Sequence, residues 1–151
     1  MNSINQKTFD LIKSSEGLRL EAYPDPATGG EPITIGYGTT IYPNGIKVKL
    51  GDTITKQMAE FSLLHDITNF STKIYSLIKK PLNDNQFGAL VSFSYNVGIK
   101  NLQISTLLKK VNENPNDLSI KDEFLKWKKA GGKVLPGLLK RRIKEAELYF
   151  S

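Results

Sequence analysis

The 151-residue chain has no cysteine, and that absence excludes a disulfide scaffold, a Cys-based zinc site and a thiol nucleophile. It has one histidine, His65, and no carboxylates clustered at ligand spacing, so no metal site and no cofactor are expected. Long apolar runs are missing as well. Nothing approaches the ~18 consecutive apolar residues of a transmembrane helix, and the opening MNSINQKTFDLIKSSEG holds no apolar core of signal-peptide length. The sequence therefore predicts no stable membrane insertion, no signal peptide and no signal anchor, and places the chain in the cytoplasm of the cell that makes it.

What is present is the material of a folded domain. Hydrophobic residues make up 39% of the chain, with seven Phe and six Tyr, too many for a disordered segment. A chain of this length buries about two thirds of its unfolded surface, enough for one core without covalent staples. The charge is uneven. The total is +6, but residues 126–145 hold eight Lys and Arg against Glu145 alone, so this segment carries +7 and the remainder sums to −1. A local basic patch implies an anionic partner: nucleic acid, a membrane surface or a cell-wall polymer. The segment has no recognition-helix or zinc signature, which argues against nucleic acid.

Asn2 or Ser3 can cap a first helix that carries Ile4, Phe9, Leu11 and Ile12 and stops at Gly17. Between about residues 18 and 52, the β-favouring fragments Arg19–Tyr23, Ile33–Tyr37 and Ile46–Val48 are separated by turn residues, which predicts a small three-stranded antiparallel sheet. Thr55 caps a long helix of about 25 residues, ended by Pro81, with Met58, Phe61, Leu64, Ile67 or Thr68, Ser71 and Tyr75 on its apolar face. His65 on that helix reads as an ordinary surface or partly buried residue. Asn83–Val97 is apolar nearly all round and reads as a buried central helix. Shorter helices follow at about 105–112 and 118–129, with Trp127 as a core anchor; Gly131-Gly132 make a break, and a last helix starts at Pro136. Strands and helices in separate runs indicate an α+β fold. The expectation is one domain over residues 1–151, with a sheet lobe at about 18–52, a larger helical lobe over 1–17 and 53–151, and a cleft between them.

Three residues in the first part of the chain suit one chemistry. Hydrolysis of a glycosidic bond needs an acid to protonate the leaving oxygen and a second carboxylate across the ring to activate water or attack carbon. Glu16, at a helix end, is either a solvated residue beside a helix-stopping glycine or a carboxyl group kept protonated as a general acid. Asp25, between two prolines, either bonds the turn backbone or supplies the second carboxylate. Thr34 opens a strand. Carbohydrate sites also combine aromatic faces with hydroxyl and amide groups, which makes Tyr37, Thr40, Tyr95, Asn96 and Ser105 candidate sugar contacts, with a core role for Tyr95 equally open.

With these residues in place, the chain resembles the bacteriophage-type lysozymes, the endolysin family that cleaves peptidoglycan. The resemblance runs through Glu16-Gly17, Arg19, Ala22-Tyr23, Asp25 and Thr34-Ile-Gly-Tyr-Gly38. It continues through Leu82-Asn-Asp-Asn-Gln86, Ala89-Leu90, Ser92-Phe93, Tyr95-Asn96-Val-Gly98 and Ser105-Thr-Leu-Leu108. It ends with Gly131–Leu138, Arg141-Arg142 and Glu145-Ala146. It implies a lysozyme-like fold and a muramidase that hydrolyses the β-1,4 bond between N-acetylmuramic acid and N-acetylglucosamine. Glu16 would be the general acid, Asp25 the carboxylate activating water with inversion, and Thr34 the residue helping to place that water. A lytic transglycosylase cutting the same bond is the alternative, but that reaction needs no water-activating carboxylate. The resemblance also implies a monomeric phage lysis enzyme whose partner is bacterial peptidoglycan, held in the host cytoplasm until a separate membrane pore protein releases it. One departure stands out: Asp25 and Thr34 are nine positions apart, longer than the family's usual interval, and the extra residues Pro26–Pro32 are expected to loop out.

The last helix carries a conflict. On a helical wheel its apolar face holds Leu135, Leu138, Leu139, Ile143, Ala146 and Tyr149, and Arg142 falls near the middle of it. A buried guanidinium needs a carboxylate, and Glu16 or Asp10 is the expected partner of Arg142, with Arg141 beside it; an arginine snorkelling to water is the other reading.

Overall fold

In the computed structural model, which describes residues 2–151, the chain forms α1 (Gln6–Glu16), β1 (Arg19–Tyr23), β2 (Thr34–Gly36), α2 (Lys56–Tyr75), α3 (Asp84–Val97), α4 (Ile99–Ile104), α5 (Thr106–Glu113), α6 (Ile120–Leu125), β3 (Lys129–Ala130), β4 (Lys133–Val134) and α7 (Pro136–Tyr149). Helices dominate and the sheets are small and antiparallel, so the α+β expectation holds. Contacts divide the chain into two compact units, Ile12–Asn69 and Met1–Leu11 with Phe70–Ser151. Among the described residues no helix is long and apolar enough to cross a membrane.

In the first unit β1 pairs with β2 in the register Arg19 to Gly36 and Tyr23 to Thr34, with an irregularity between. The expected third strand is absent. Ile46–Val48 contributes only an isolated bridge from Lys47 to Ile41, and β1 is met instead by Thr53 through Glu21. The reason is local: Tyr42 and Gly45 close a tight turn, Gly45 takes a φ of 88°, and Asn44 accepts from the Ile46 amide, so too few extended residues remain for a ladder. Ala22, Ile35 and Val48 nevertheless make a small core, joined by Ile33, Tyr42 and Ile54.

Two helix readings need correction. The cap of α1 is Asn5, whose side chain accepts from the Thr8 amide, while Asn2 and Ser3 bond to Asp84. For α2, Thr55 is the cap as expected and Ile67 and Ser71 are buried as expected, but the remaining members of the expected face lie beside the buried one. Ala59, Leu63, Ile67 and Ile74 are fully buried, whereas Met58, Phe61, Leu64 and Tyr75 are 51%, 65%, 47% and 42% exposed. The helix also ends at Tyr75, short of Pro81, because the Asn112 side chain takes over the backbone there, donating to Leu77 and accepting from Lys79.

The second unit is built around α3. Asn83 and Gln86 form a capping box at its start, and Phe87, Ala89, Leu90, Val91 and Phe93 have no exposed surface. Trp127 and Phe124 stack edge-on against Phe93, the anchoring role expected of the tryptophan. The Gly131-Gly132 break is a two-residue hairpin between β3 and β4, with φ values of 58° and 79° that favour glycine. On α7 the buried residues are Arg141, Arg142, Glu145, Ala146, Leu148 and Tyr149, so the inner face is rotated from the expected apolar one, and Leu135 and Ile143 remain about two-fifths exposed.

Gly88 shows how tightly α1 meets α3. A Cβ there would overlap the Thr8 hydroxyl. Gly88→Ala is therefore expected to destabilise the protein by about 1–3 kcal/mol in urea melts, and the Thr8→Ala background to restore part of that loss.

Candidate active site

Glu16 closes α1. The Gly17 amide still donates to Lys13, but Gly17 itself turns at a φ of 71°, and β1 begins two residues later. The sequence thus puts a partly buried carboxylate at a helix C-terminus just before the chain reverses into the sheet. The Arg19 guanidinium lies over the Tyr23 ring, 4.5 Å from its centroid.

Asp25 and Thr34 occupy the two sides of the β1–β2 connection. Thr34 pairs directly with Tyr23, and Asp25 lies two residues past the same pair. The long interval closes on itself: the Asp25 amide donates to Gly30 at 2.9 Å, and its carbonyl accepts from Gly29 at 2.7 Å. The extra residues therefore close on themselves beyond the Tyr23–Thr34 pair, while the register shift of the ladder lies before it, between Arg19 and Tyr23. One Asp25 carboxylate oxygen accepts from the Ala27 amide at 2.9 Å, which orients the group. The Thr34 hydroxyl faces the Pro32 carbonyl at 3.4 Å. Both residues are half-buried.

The other predicted contacts divide by unit. Tyr37 is buried and Thr40 half-buried, the latter accepting the Val48 amide on its carbonyl. Next to them Thr39 bonds Asp66, whose carboxyl is pushed up by burial against the pull of His65 and Thr39. His65 is a partly exposed residue 3.8 Å from Asp66.

In the second unit, Tyr95 packs edge-on against Phe70, with the ring centroids 5.3 Å apart. Ser105 is buried and caps α5, accepting from Leu108 and donating to Leu102. Asn96 is exposed but held, because Arg142 donates to its side-chain oxygen.

Arg142 is fully buried, which removes the snorkelling reading. The carboxylate that the two arginines share is Glu145, 3.0 Å from Arg142 Nε and 3.2 Å from Arg141 Nε. The Ser92 hydroxyl donates to the same carboxylate, and Arg141 also donates to the Ser92 carbonyl. Arg142 lies 5.1 Å above the Phe93 ring. Asp10, one of the two expected partners, is exposed and accepts from Gln6 instead. In the sequence Glu145 stands as the lone acid of a basic segment and as part of the family resemblance, not as the partner of Arg142; its i+3 and i+4 spacing from the arginines was the available signal. Burial pushes the Glu145 carboxyl up, opposed by Arg142, Arg141 and Ser92. Among the described residues no group of three or more His, Asp or Glu is placed to hold a metal ion.

The phage lysozyme family model matches residues 13–145. An endolysin of Bacillus phage B103 is 42% identical over 149 residues, which are 99% of this chain and 54% of that protein, so the chain spans about half its length. Among solved structures, an endolysin from Escherichia coli O157:H7 phage FAHEc1 superposes with a TM-score of 0.87 at 40% identity, covering 99% of this chain and 94% of that one. The muramidase domain of SpmX from Asticaccaulis excentricus superposes at 0.85 with 31% identity, covering 100% of this chain and 99% of that one. Since the family model takes in Glu16, Asp25, Thr34 and the Arg141–Arg142–Glu145 cluster, and full-length likeness extends over the fold, the chain belongs to the phage lysozyme family.

Proposed function

We propose that the protein is an endolysin that hydrolyses the β-1,4 bond between N-acetylmuramic acid and N-acetylglucosamine in bacterial peptidoglycan. The observation that carries this reading is the likeness along nearly the whole of this chain to endolysins and a muramidase domain, with Glu16, Asp25 and Thr34 inside the matched region. Glu16 donates its proton to the glycosidic oxygen as the bond to the anomeric carbon breaks. Asp25, oriented by the Ala27 amide, takes a proton from the attacking water. The Thr34 hydroxyl offers lone pairs that hold the water's second hydrogen. Tyr37, Thr40, Tyr95, Asn96 and Ser105 remain the proposed sugar contacts. The same reading makes the protein a monomeric lysis enzyme, kept in the host cytoplasm until a separate membrane pore opens the way to the wall.

Product analysis tests the reaction. Mass spectrometry of purified peptidoglycan digested by the protein should show reducing muramic acid ends. Anhydro-muramyl ends would establish a transglycosylase instead, and Asp25→Asn should then leave turnover intact rather than lower it.

A further inference from the structure

A hollow of about 760 Å³ lies on the first unit, between the Tyr42–Ile46 turn and the opening turns of α2. Glu16, Asp25 and Thr34 do not line it. Its volume lies within the ~300–1,000 Å³ common for small-ligand sites. Three large apolar side chains stand in it half open to water: Ile46 at 56%, Met58 at 51% and Phe61 at 65%. Apolar side chains gathered around one concavity mark a binding surface, whereas scattered ones do not.

The rim is cationic. Lys47 and Lys49 line it, both exposed, and the one carboxylate among the lining residues is Asp52. That carboxylate is committed to the protein, accepting the Lys49 amide at 3.0 Å and the Tyr42 hydroxyl at 2.8 Å. The Lys49 amide and then the Tyr42 hydroxyl hold the Asp52 carboxyl below its ordinary range, so it stays an occupied acceptor. A ligand therefore meets an apolar floor and two exposed lysines, Lys47 and Lys49, the second of which also acts on Asp52 through its charge. A bilayer is flat and does not reach the floor of a hollow, and a neutral sugar has no use for two lysines. A short chain carrying both small apolar groups and carboxylates uses both features.

We propose that this hollow binds an acidic peptide, with apolar side chains against Ile46, Met58 and Phe61 and carboxylates against Lys47 and Lys49. In the wall polymer this ligand is the stem peptide carried by muramic acid. The stem assignment rests on the muramidase reading; peptide binding by the hollow does not.

Titration of the full chain with the N-acetylated pentapeptide N-acetyl-L-Ala-γ-D-Glu-L-Lys-D-Ala-D-Ala, whose acylated N-terminus leaves two carboxylates against one ammonium as in the wall, followed by calorimetry, tests the hollow. Saturable, salt-sensitive binding is expected, weakened roughly ten-fold by the double change Lys47→Glu with Lys49→Glu and also weakened by Phe61→Ser. These side chains are exposed, so thermal melting verifies that the variants fold. Absence of saturable binding, or binding that the charge reversal leaves unchanged, overturns the proposal. Saturable binding to phosphatidylglycerol vesicles in place of the peptide overturns it in favour of a membrane. A second arm compares turnover on intact wall with turnover on the same wall stripped of peptides by an amidase. The ratio should fall several-fold in the charge-reversed protein, and an unchanged ratio removes the stem assignment. Absence of turnover by the wild type on both substrates overturns the muramidase reading, while the pentapeptide titration still decides the hollow.

Discussion

Glu16→Gln should abolish wall lysis while the protein stays folded. Glutamine preserves the shape of the side chain and its capacity to hydrogen-bond, but it has no acidic proton to give. The leaving sugar oxygen would then depart as an alkoxide, and loss of general acid catalysis lowers rates by roughly 10²–10⁴. Stability should hardly change, since a negative charge at a helix C-terminus is disfavoured by ~0.3–1 kcal/mol and the amide removes that charge. The comparison needs two measurements on the same sample: turbidity loss of purified walls and a thermal melt. An active Glu16→Gln protein would sink the general-acid assignment, whatever the product analysis shows. Activity lost together with the melting transition would report a structural role instead.

The second large effect concerns folding. Glu145→Ala leaves two guanidinium groups in a site with almost no access to water, one fully buried and the other nearly so. Breaking a buried ion pair by removing one partner typically loses about 3–5 kcal/mol, because the remaining charge keeps its desolvation penalty. Two cations would lose their shared anion here, so the upper part of that range is expected in urea unfolding. The triple replacement Arg141→Met, Arg142→Met and Glu145→Met should recover much of the loss, since apolar groups of similar volume carry no such penalty. The triple variant also frees the Asn96 side chain from Arg142. Recovered stability with impaired turnover would show that the cluster also positions Asn96, apart from its part in folding. A Glu145→Ala protein as stable as the wild type would show that the cluster is reached by water.

Much of the architecture was legible because local signals were strong. Gly17, Thr55, Asn83 and Pro136 mark helix ends through chemistry that acts within a few residues, and the helices begin or end close to them. The Asn83–Val97 segment, apolar nearly all round, reads as a buried central helix, and α3 is that helix. Misreadings arose where a local pattern allowed two answers. Along α2 both the Met58–Phe61–Leu64 row and the Ala59–Leu63 row repeat at helical spacing, and both lead on to Ile67. Tertiary packing chose the second, with Ala59 small enough to sit against Gly36. The Asn5 cap was passed over for Asn2 and Ser3 because their pairing with Asp84 spans about eighty positions, and no local rule reports such a contact.

The sequence by itself determined the family and the α+β character, because these depend on residue type and order, and it is also the source of the proposal that Glu16, Asp25 and Thr34 carry the chemistry. It also contained the closure of the Asp25–Thr34 interval in latent form, as a proline- and glycine-rich insertion whose ends meet through the Asp25–Gly30 and Gly29–Asp25 bonds. Tertiary structure alone decided which side of α2 faces water, and hence that a hollow with an apolar floor and cationic rim exists. It also decided that Glu145 is the acid between Arg141 and Arg142. Burial is the physical reason in both cases: whether an apolar row is covered or an ion pair is dry depends on neighbours brought from elsewhere in the chain, and spacing along one helix cannot report them.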